Sequence, residues 1–362
     1  MPTKVAYLFG AGASQGELNQ NGYFKSILMR DIVFDIARKI IDDEITELYS
    51  ISNELAEDRV DVEHLITLHE ASGTTKDNEI AHKLRELFRV EIQERMSDLD
   101  ESFFPTLFAS LIDMHYIVGL DEKLVVILTI NYEDLIERAM QIVKEGINYS
   151  IKIANKGSSY SINEALPPLL KLHGSFNWKN EYPVAIVDNI GREEDILWIP
   201  PGVVKRREQY PFSVIWGRAK ELLECDILRI VGCSLSRNDW ELISLLYSTQ
   251  KLQSDRDPYW IELIDYPDKC KEIKDQYTYL RIRPILNIPE FRDYLTKQYL
   301  SLSTTPRAVT EEDIESMGNY IAEEKQNIFC LWLQAKGDKL LSEGIPVTTS
   351  KNIFSKFIYG EL

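Results

Sequence analysis

Apolar positions along this chain follow two patterns. Val5–Phe9 and Leu124–Thr129 (LVVILT) are apolar runs, and DILRIVGCS is a further apolar stretch that stops at a glycine. Such runs predict strands of a parallel sheet covered on both faces. Elsewhere the apolar residues recur at helical spacing. In DNEIAHKLRELFRVEIQERM, residues Ile80, Leu84, Leu87, Phe88 and Ile92 share one face, and DVEHLITLHE repeats the pattern behind Asp61 at an N-cap position. The chain from Lys25 to about Met114 therefore reads as helical, with SGTTKDN as a turn. Further helices are predicted from Asp134 to Lys144, from Phe212 to Glu224, from Asp239 to about Thr249, and along EEDIESMGNYIAEEKQNIFCLWLQAKGDKLLS. Short extended pieces fall around Tyr149–Ile153, Leu169–Leu172, DILWIPPG, YWIELID and YLRIRP, while the polar SQGELNQNGYF reads as a loop.

Strands alternating with helices predict an α/β fold with a parallel sheet flanked by helices. The helical block 25–115 becomes an insertion between the first and second main strands. At 362 residues the chain suits one large domain with an insertion, or two domains. No internal repeat or low-complexity segment interrupts it.

Composition narrows the function classes. Hydrophobic residues make up 44% and charged residues 27%, as in ordinary globular proteins. Lys plus Arg is 41 against 58 for Asp plus Glu, so the formal charge is −17. That argues against broad nucleic-acid binding, which is driven by neutralised phosphates. The triplet Lys205, Arg206, Arg207 reads as a solvated loop, with a local basic patch as the alternative. Cys225, Cys233, Cys270 and Cys330 form no CxxC pair, so neither zinc nor a disulfide framework is expected, and a cytoplasmic setting fits. The first apolar run is too short for a signal peptide, and none approaches the ~18 residues of a membrane helix.

Ligands of open parallel sheets sit at the carboxyl ends of the strands. The three strong strands here end in FGAGAS, LTINYEDL and VGCSLSRND. Gly10 and Gly12 bare their amides for a phosphate, or simply make a tight turn; the GxGxxG fingerprint is incomplete, with Gln15 in its last place. Asn131 can donate and accept at a ribose hydroxyl or a water, or cap a turn. Glu133 and Asp134 either join it or start the next helix. Among five histidines, His64, His69 and His82 lie in the charged helical block and His115 at an apolar helix end. Only His173, in LLKLHGSFNW, joins a strand end to a small neighbour and an aromatic flank, which suits general base work or a plain core role. Gly232 and Ser234 repeat the first turn's logic. Asp265, ending WIELID, either binds ribose hydroxyls or caps a turn.

Together and in this order, GAGAS (10–14), TINYEDL (129–135), KLHGS (171–175) and GCSLSRND (232–239) resemble the sirtuin superfamily, with IPPGVVK (199–205) similar to its bacterial sirtuin-like branch. The resemblance spans about residues 1–290. It implies a Rossmann-like NAD-binding domain over 1–300, with 25–115 as an inserted cap, and a mainly helical extension over 301–362. It implies Gly10, Ala11, Gly12, Ala13 and Ser14 around the cofactor phosphates, Asn131 beside the nicotinamide ribose, His173 as the catalytic histidine, and Ser234 on the cofactor. Glu133, Asp134, Gly232 and Asp265 complete the expected NAD contacts.

Two departures shape the expected activity. The Ile-Pro-Asp-Phe-Arg loop of protein deacylases is replaced by QGELNQNGYF, and their zinc cysteines are missing. The resemblance therefore points to the NAD hydrolases of bacterial antiphage defence, which consume NAD as substrate, without metal, once triggered. It implies control by homo-oligomerisation or by a partner such as a DNA-translocating ATPase or an Argonaute. A deacylase or ADP-ribosyltransferase, and a non-catalytic NAD- or ADP-ribose-binding scaffold, are the alternatives; a hydride-transferring dehydrogenase ranks below them.

Overall fold

The computed structural model describes residues 1–42, 45–57, 61–99, 102–187, 190, 195–202, 207–252, 259–302, 308–347 and 352–362. Lys205 and Arg206 of the basic triplet, and Val203–Lys205 of IPPGVVK, lie outside these residues.

Strand β1 (Thr3–Phe9) leads into α1 (Ala11–Gln20), then α2 (Met29–Asp42), α3 (Tyr49–Ala56), α4 (Val62–Ser72), α5 (Thr75–Ser97) and α6 (Thr106–Met114). There follow β2 (Glu122–Thr129), α7 (Leu135–Lys144), β3 (Ile153–Asn155), β4 (Leu169–Lys171), β5 (Gly174–Lys179), β6 (Val184–Ile186) and β7 (Ile196–Trp198). The chain then runs through α8 (Phe212–Leu222), β8 (Ile227–Val231), α9 (Trp240–Leu252), β9 (Trp260–Ile264), α10 (Pro267–Gln276) and β10 (Ile282–Pro284). It closes with α11 (Pro289–Leu302), α12 (Glu311–Glu323), α13 (Ile328–Ser342) and α14 (Ile353–Ile358).

Six strands form one sheet in the order β10-β9-β8-β1-β2-β4, and every neighbouring pair is parallel. The fold is thus the expected α/β, Rossmann-like parallel sheet, with helices α2–α6 inserted between its first two strands. Because the chain starts in the middle and builds outward both ways, the carboxyl ends of β8, β1, β2 and β4 sit side by side, where such sheets bind ligands.

Several elements differ from the sequence expectation: α10, α11 and α14 match no expected helix, and EEDIESMGNYIAEEKQNIFCLWLQAKGDKLLS is two helices, α12 and α13. SQGELNQNGYF is helical over its first half, in α1. Its buried stripe is Ala13, Ser14, Glu17 and Leu18, so two polar side chains occupy inward positions and hide the period. Together with β3, the segment after β4 builds a small second sheet, β3-β6-β5-β7, three of whose four strands are only three residues long.

Two hydrophobic clusters result. The larger surrounds the main sheet and takes in residues of α12, α13 and α14, including Trp332 and Phe354. The smaller joins the α2–α5 insertion to the small sheet: Ile36, Leu84 and Phe88 meet Phe176, Ile196 and Trp198.

A row of charge crosses the main sheet within the larger cluster. Tyr7, Arg229 and Glu262 are register neighbours on β1, β8 and β9. The Arg229 guanidinium holds both Glu122 oxygens at 2.7 Å, Glu262 at 3.1 Å and the Tyr7 hydroxyl at 2.9 Å. Lys336 of α13 adds bonds of 2.7 Å to Glu122 and 2.8 Å to Glu290. Burial alone would raise the Glu290 carboxyl, but Lys336 and Arg229 outweigh it and hold it at about 2. Removing one member of a buried ion network strands its partners in low dielectric. Lys336→Met is therefore expected to lower the unfolding free energy by about 3–5 kcal/mol, measured by urea denaturation.

Candidate functional site

The turn after β1 and the turn after β8 touch backbone to backbone. Gly10 N donates to Val231 O at 3.1 Å, Gly12 N to Gly232 O at 2.8 Å, and Ala13 N to Gly10 O at 3.0 Å. A Cβ on Gly12 would lie 2.8 Å from Gly232 O, and one on Gly232, whose φ is +57°, would lie 2.1 Å from Ala13 N. All three amides are thus engaged within the protein, and the glycines serve this close approach. Ala11 is half-buried and Ala13 buried in the first turn of α1.

Ser14, one turn into α1, is fully buried. Its Oγ donates to the Glu133 carboxylate and accepts from Asn131 Nδ2 at 2.9 Å. Asn131 follows β2, and its amide N donates to Thr129 Oγ1 at 3.0 Å. Ser14, Asn131 and Glu133 are thereby brought together. Asp134 is not: its carboxylate takes Arg138 Nε at 3.3 Å and the Tyr160 hydroxyl at 2.5 Å.

His173 lies two residues beyond β4, where Leu172 N donates to Thr129 O at 2.8 Å and so pins it beside β2. His173 Nε2 is 3.8 Å from Asp239 Oδ1, and its ring lies 6.3 Å from that of Tyr132. Gly174, at φ +77°, lets the chain turn against β7, where a Cβ would be 2.3 Å from Leu197 O. Ser234 is exposed on the β8 loop. Asp265 is partly exposed beyond β9, accepts from Tyr266 N at 2.7 Å, and burial pushes its carboxyl up to about 6.

Four residues that the sequence reading passed over complete the arrangement. Asp239 faces His173. Asn238 Nδ2 donates to Asp61 Oδ2 at 2.8 Å and Glu63 Oε2 at 2.7 Å, so the start of α4 rests on the loop that carries Asp239. Lys171, fully buried, donates to Glu133 O at 2.5 Å and to the equally buried Glu137 at 2.7 Å. A lysine inside the apolar run LLKLHG was the available signal, since a buried ammonium requires a partner. Asp239 and Asn238 carried no such signal, because SRND reads as an ordinary helix start.

Burial also sets the charge of Glu17 on α1. Its carboxylate accepts from Phe108 N at 2.8 Å, at the start of α6, and from Asn21 at 2.8 Å. Desolvation outweighs these bonds and raises it from 4.5 to about 7.

An open parallel sheet with polar side chains gathered at the carboxyl ends of its central strands defines the Rossmann-like class. Residues 125–285 match the family model of the SIR2-like domain, in line with the resemblance to the sirtuin superfamily. The match covers β2 to β10. The turn at Gly10–Ser14 lies before it and reaches the site through β1. Solved structures similar to this chain include one described as a Sir2 homolog–NAD complex, 13% identical, covering 89% of this chain and 91% of that one, with a TM-score of 0.38. Another, described as showing the mechanism and regulation of Sir2 enzymes, is 16% identical, covering 73% of this chain and 81% of its own, with a TM-score of 0.35. No curated protein matches the chain. Among the described residues, no cluster of side chains has the makings of a metal site, and no helix is long and apolar enough to cross a membrane.

Two expectations follow. Gly232→Ala should cost at least about 3 kcal/mol, because it adds a clash to an unfavourable φ, whereas Gly22→Ala, at φ +79° with nothing within 4 Å, should cost only about 1 kcal/mol; denaturant melts of the two variants test this. Glu17 binds its proton more tightly folded than unfolded, so it stabilises the fold fully below pH 4.5 and loses that contribution as pH rises through about 7. The melting temperature should therefore fall more steeply between pH 5 and 8 in wild type than in Glu17→Gln.

Proposed function

We propose that the protein is an NAD glycohydrolase, cleaving NAD with water to nicotinamide and ADP-ribose. The observation that supports this reading is that Ser14 of α1 bonds Asn131 and Glu133 on the loop after β2, while His173, just beyond β4, faces Asp239 on the loop after β8, all at the carboxyl ends of the parallel strands. The SIR2-like domain match and the likeness to a structure described as an NAD complex point to the same substrate.

Asn131 gives its Nδ2 to Ser14, which leaves its carbonyl oxygen to accept from a ribose hydroxyl or from the attacking water. Water attacks the anomeric carbon, the C–N bond to nicotinamide breaks, and its electron pair leaves with the ring nitrogen. His173 takes the proton from the water, and the Asp239 carboxylate steadies the resulting imidazolium. The N-terminus of α1, at Gly10 to Ser14, offers the pyrophosphate its helix dipole, since the Gly10, Gly12 and Ala13 amides are already bonded within the protein. Gly232, Ser234 and Asp265 line the adenosine end, and Glu133 rather than Asp134 stands behind the ribose. The chain's own residues suffice for every step.

On the same reading residues 1–300 form the catalytic domain, with 25–115 as its cap, and 301–362 an extension. The α4 contact through Asn238 favours a cap at this crevice. The enzyme acts as a triggered effector of bacterial antiphage defence, controlled by self-assembly or a partner protein, as in the sirtuin-like branch that it resembles.

The test is nicotinamide release from NAD by the purified protein, alone and with candidate partners. Asn131→Ala and His173→Ala should each lower kcat by about 10²–10⁴-fold. NAD bound but left intact would establish the scaffold instead, and release only with an acylated or acceptor protein would establish a transferase.

A further inference from the structure

The buried Lys171–Glu137 pair lies immediately behind the candidate site and has an asymmetric bonding pattern. Both side chains are fully buried. Lys171 Nζ gives one bond to Glu137 Oε1 and another to the main-chain carbonyl of Glu133, at 2.7 and 2.5 Å. Among the described residues Glu137 Oε2 has no hydrogen-bond partner. Tyr149 offers Glu137 Oε1 a long contact of 3.4 Å. A lysine ammonium is a point charge with three N–H donors, so pairing with a carboxylate leaves further donors to be satisfied. Here one of them is directed to a loop carbonyl.

That carbonyl belongs to the residue whose side chain holds Ser14, which in turn accepts from Asn131. Lys171 itself closes β4, two residues before His173. It is therefore a direct side-chain link between the strand that delivers the histidine and the loop that delivers the asparagine. Replacing a buried ion pair by apolar residues of similar volume is often neutral for stability, so stability alone does not account for its presence.

We propose that Lys171 is a positioning residue, which sets loop 131–134 relative to His173 so that Asn131 and His173 address the same sugar. This rests on the reading of the crevice as an NAD site. Glu137 holds the Lys171 Nζ in place through its own bond. Displacement of a reacting group by about an ångström costs on the order of 100-fold in rate.

The experiment compares wild type, Lys171→Met, and the double variant Lys171→Met/Glu137→Leu, reading melting temperature together with kcat and KM for NAD. Lys171→Met should lose both stability and activity. The double variant should recover a melting temperature within about 3 °C of wild type, because no unpaired charge remains. Its kcat should stay about 10–100-fold low with KM changed less than about threefold. Wild-type kcat in the stable double variant would overturn the proposal and leave Lys171 as a charge balance for Glu137. Should that variant fail to fold, Lys171→Gln/Glu137→Gln and Lys171→Met/Glu137→Gln differ only in a donor at position 171. Higher kcat in the first supports the link, and equal kcat overturns it. If wild type binds NAD without cleaving it, the hydrolase reading fails by itself. The link is then read in the NAD dissociation constant, with a tenfold rise in the double variant supporting it and no change overturning it. Absence of any NAD binding by wild type overturns both.

Discussion

The contact on which the rest of the site depends is the meeting of two bare backbones, where the turn after β1 closes on the turn after β8. Gly12 N reaches Gly232 O at 2.8 Å, and a Cβ on Gly232 would fall 2.1 Å from Ala13 N. No side chain fits between them, so α1 starts where the strand register puts it. Ser14 is thereby carried into the interior, with its hydroxyl against Asn131 and Glu133. A glycine turn that invites comparison with a phosphate cradle is used first for packing, and its influence on the crevice comes through the helix that it launches.

Charge buried in the larger core does two jobs. Arg229, Glu122, Glu262, Glu290 and Lys336 fasten α11 and α13 to the sheet through bonds mostly below 3 Å. Lys171 and Glu137 lie behind the site loops instead, and Lys171 bonds main chain as well as its counter-ion. Buried ion pairs carry large desolvation costs, so each is informative about geometry that apolar packing leaves loose. The candidate site lies at the seam of the two hydrophobic clusters. Tyr132 stacks on Phe176 of the smaller one with ring centroids 5.0 Å apart, while Asn131 beside it closes on α1. Asn238, gripping Asp61 and Glu63, ties the inserted helices to the loop that carries Asp239.

Much of the main sheet was legible because a parallel strand covered on both faces is apolar along most of its length. Val5–Phe9, LVVILT and DILRIVGCS therefore stood out, and so did the helical insertion, whose Ile80, Leu84 and Phe88 keep a clean period. Helix α1 did not, since Ser14 and Glu17 occupy positions where an apolar residue would have marked the face. DILWIPPG marked β7, but the small sheet as a unit was missed because three of its four strands are three residues long, too short for any period to register. His115, expected to be structural, is buried against the Tyr7 hydroxyl at 2.9 Å, and desolvation lowers it to about 3.

The sequence by itself determined the class of fold, the order of its main strands along the chain, and the polar residues that end them, because periodicity and glycine placement are local properties. Tertiary structure alone decided which of those residues meet. Glu133 rather than Asp134 joins Ser14 and Asn131, Asp239 pairs with His173, and Lys171 links the two groups. The reason is physical: hydrogen bonds and ion pairs need their partners within about 3–4 Å, and residues from 34 to 119 positions apart reach that distance only through strand register and backbone packing.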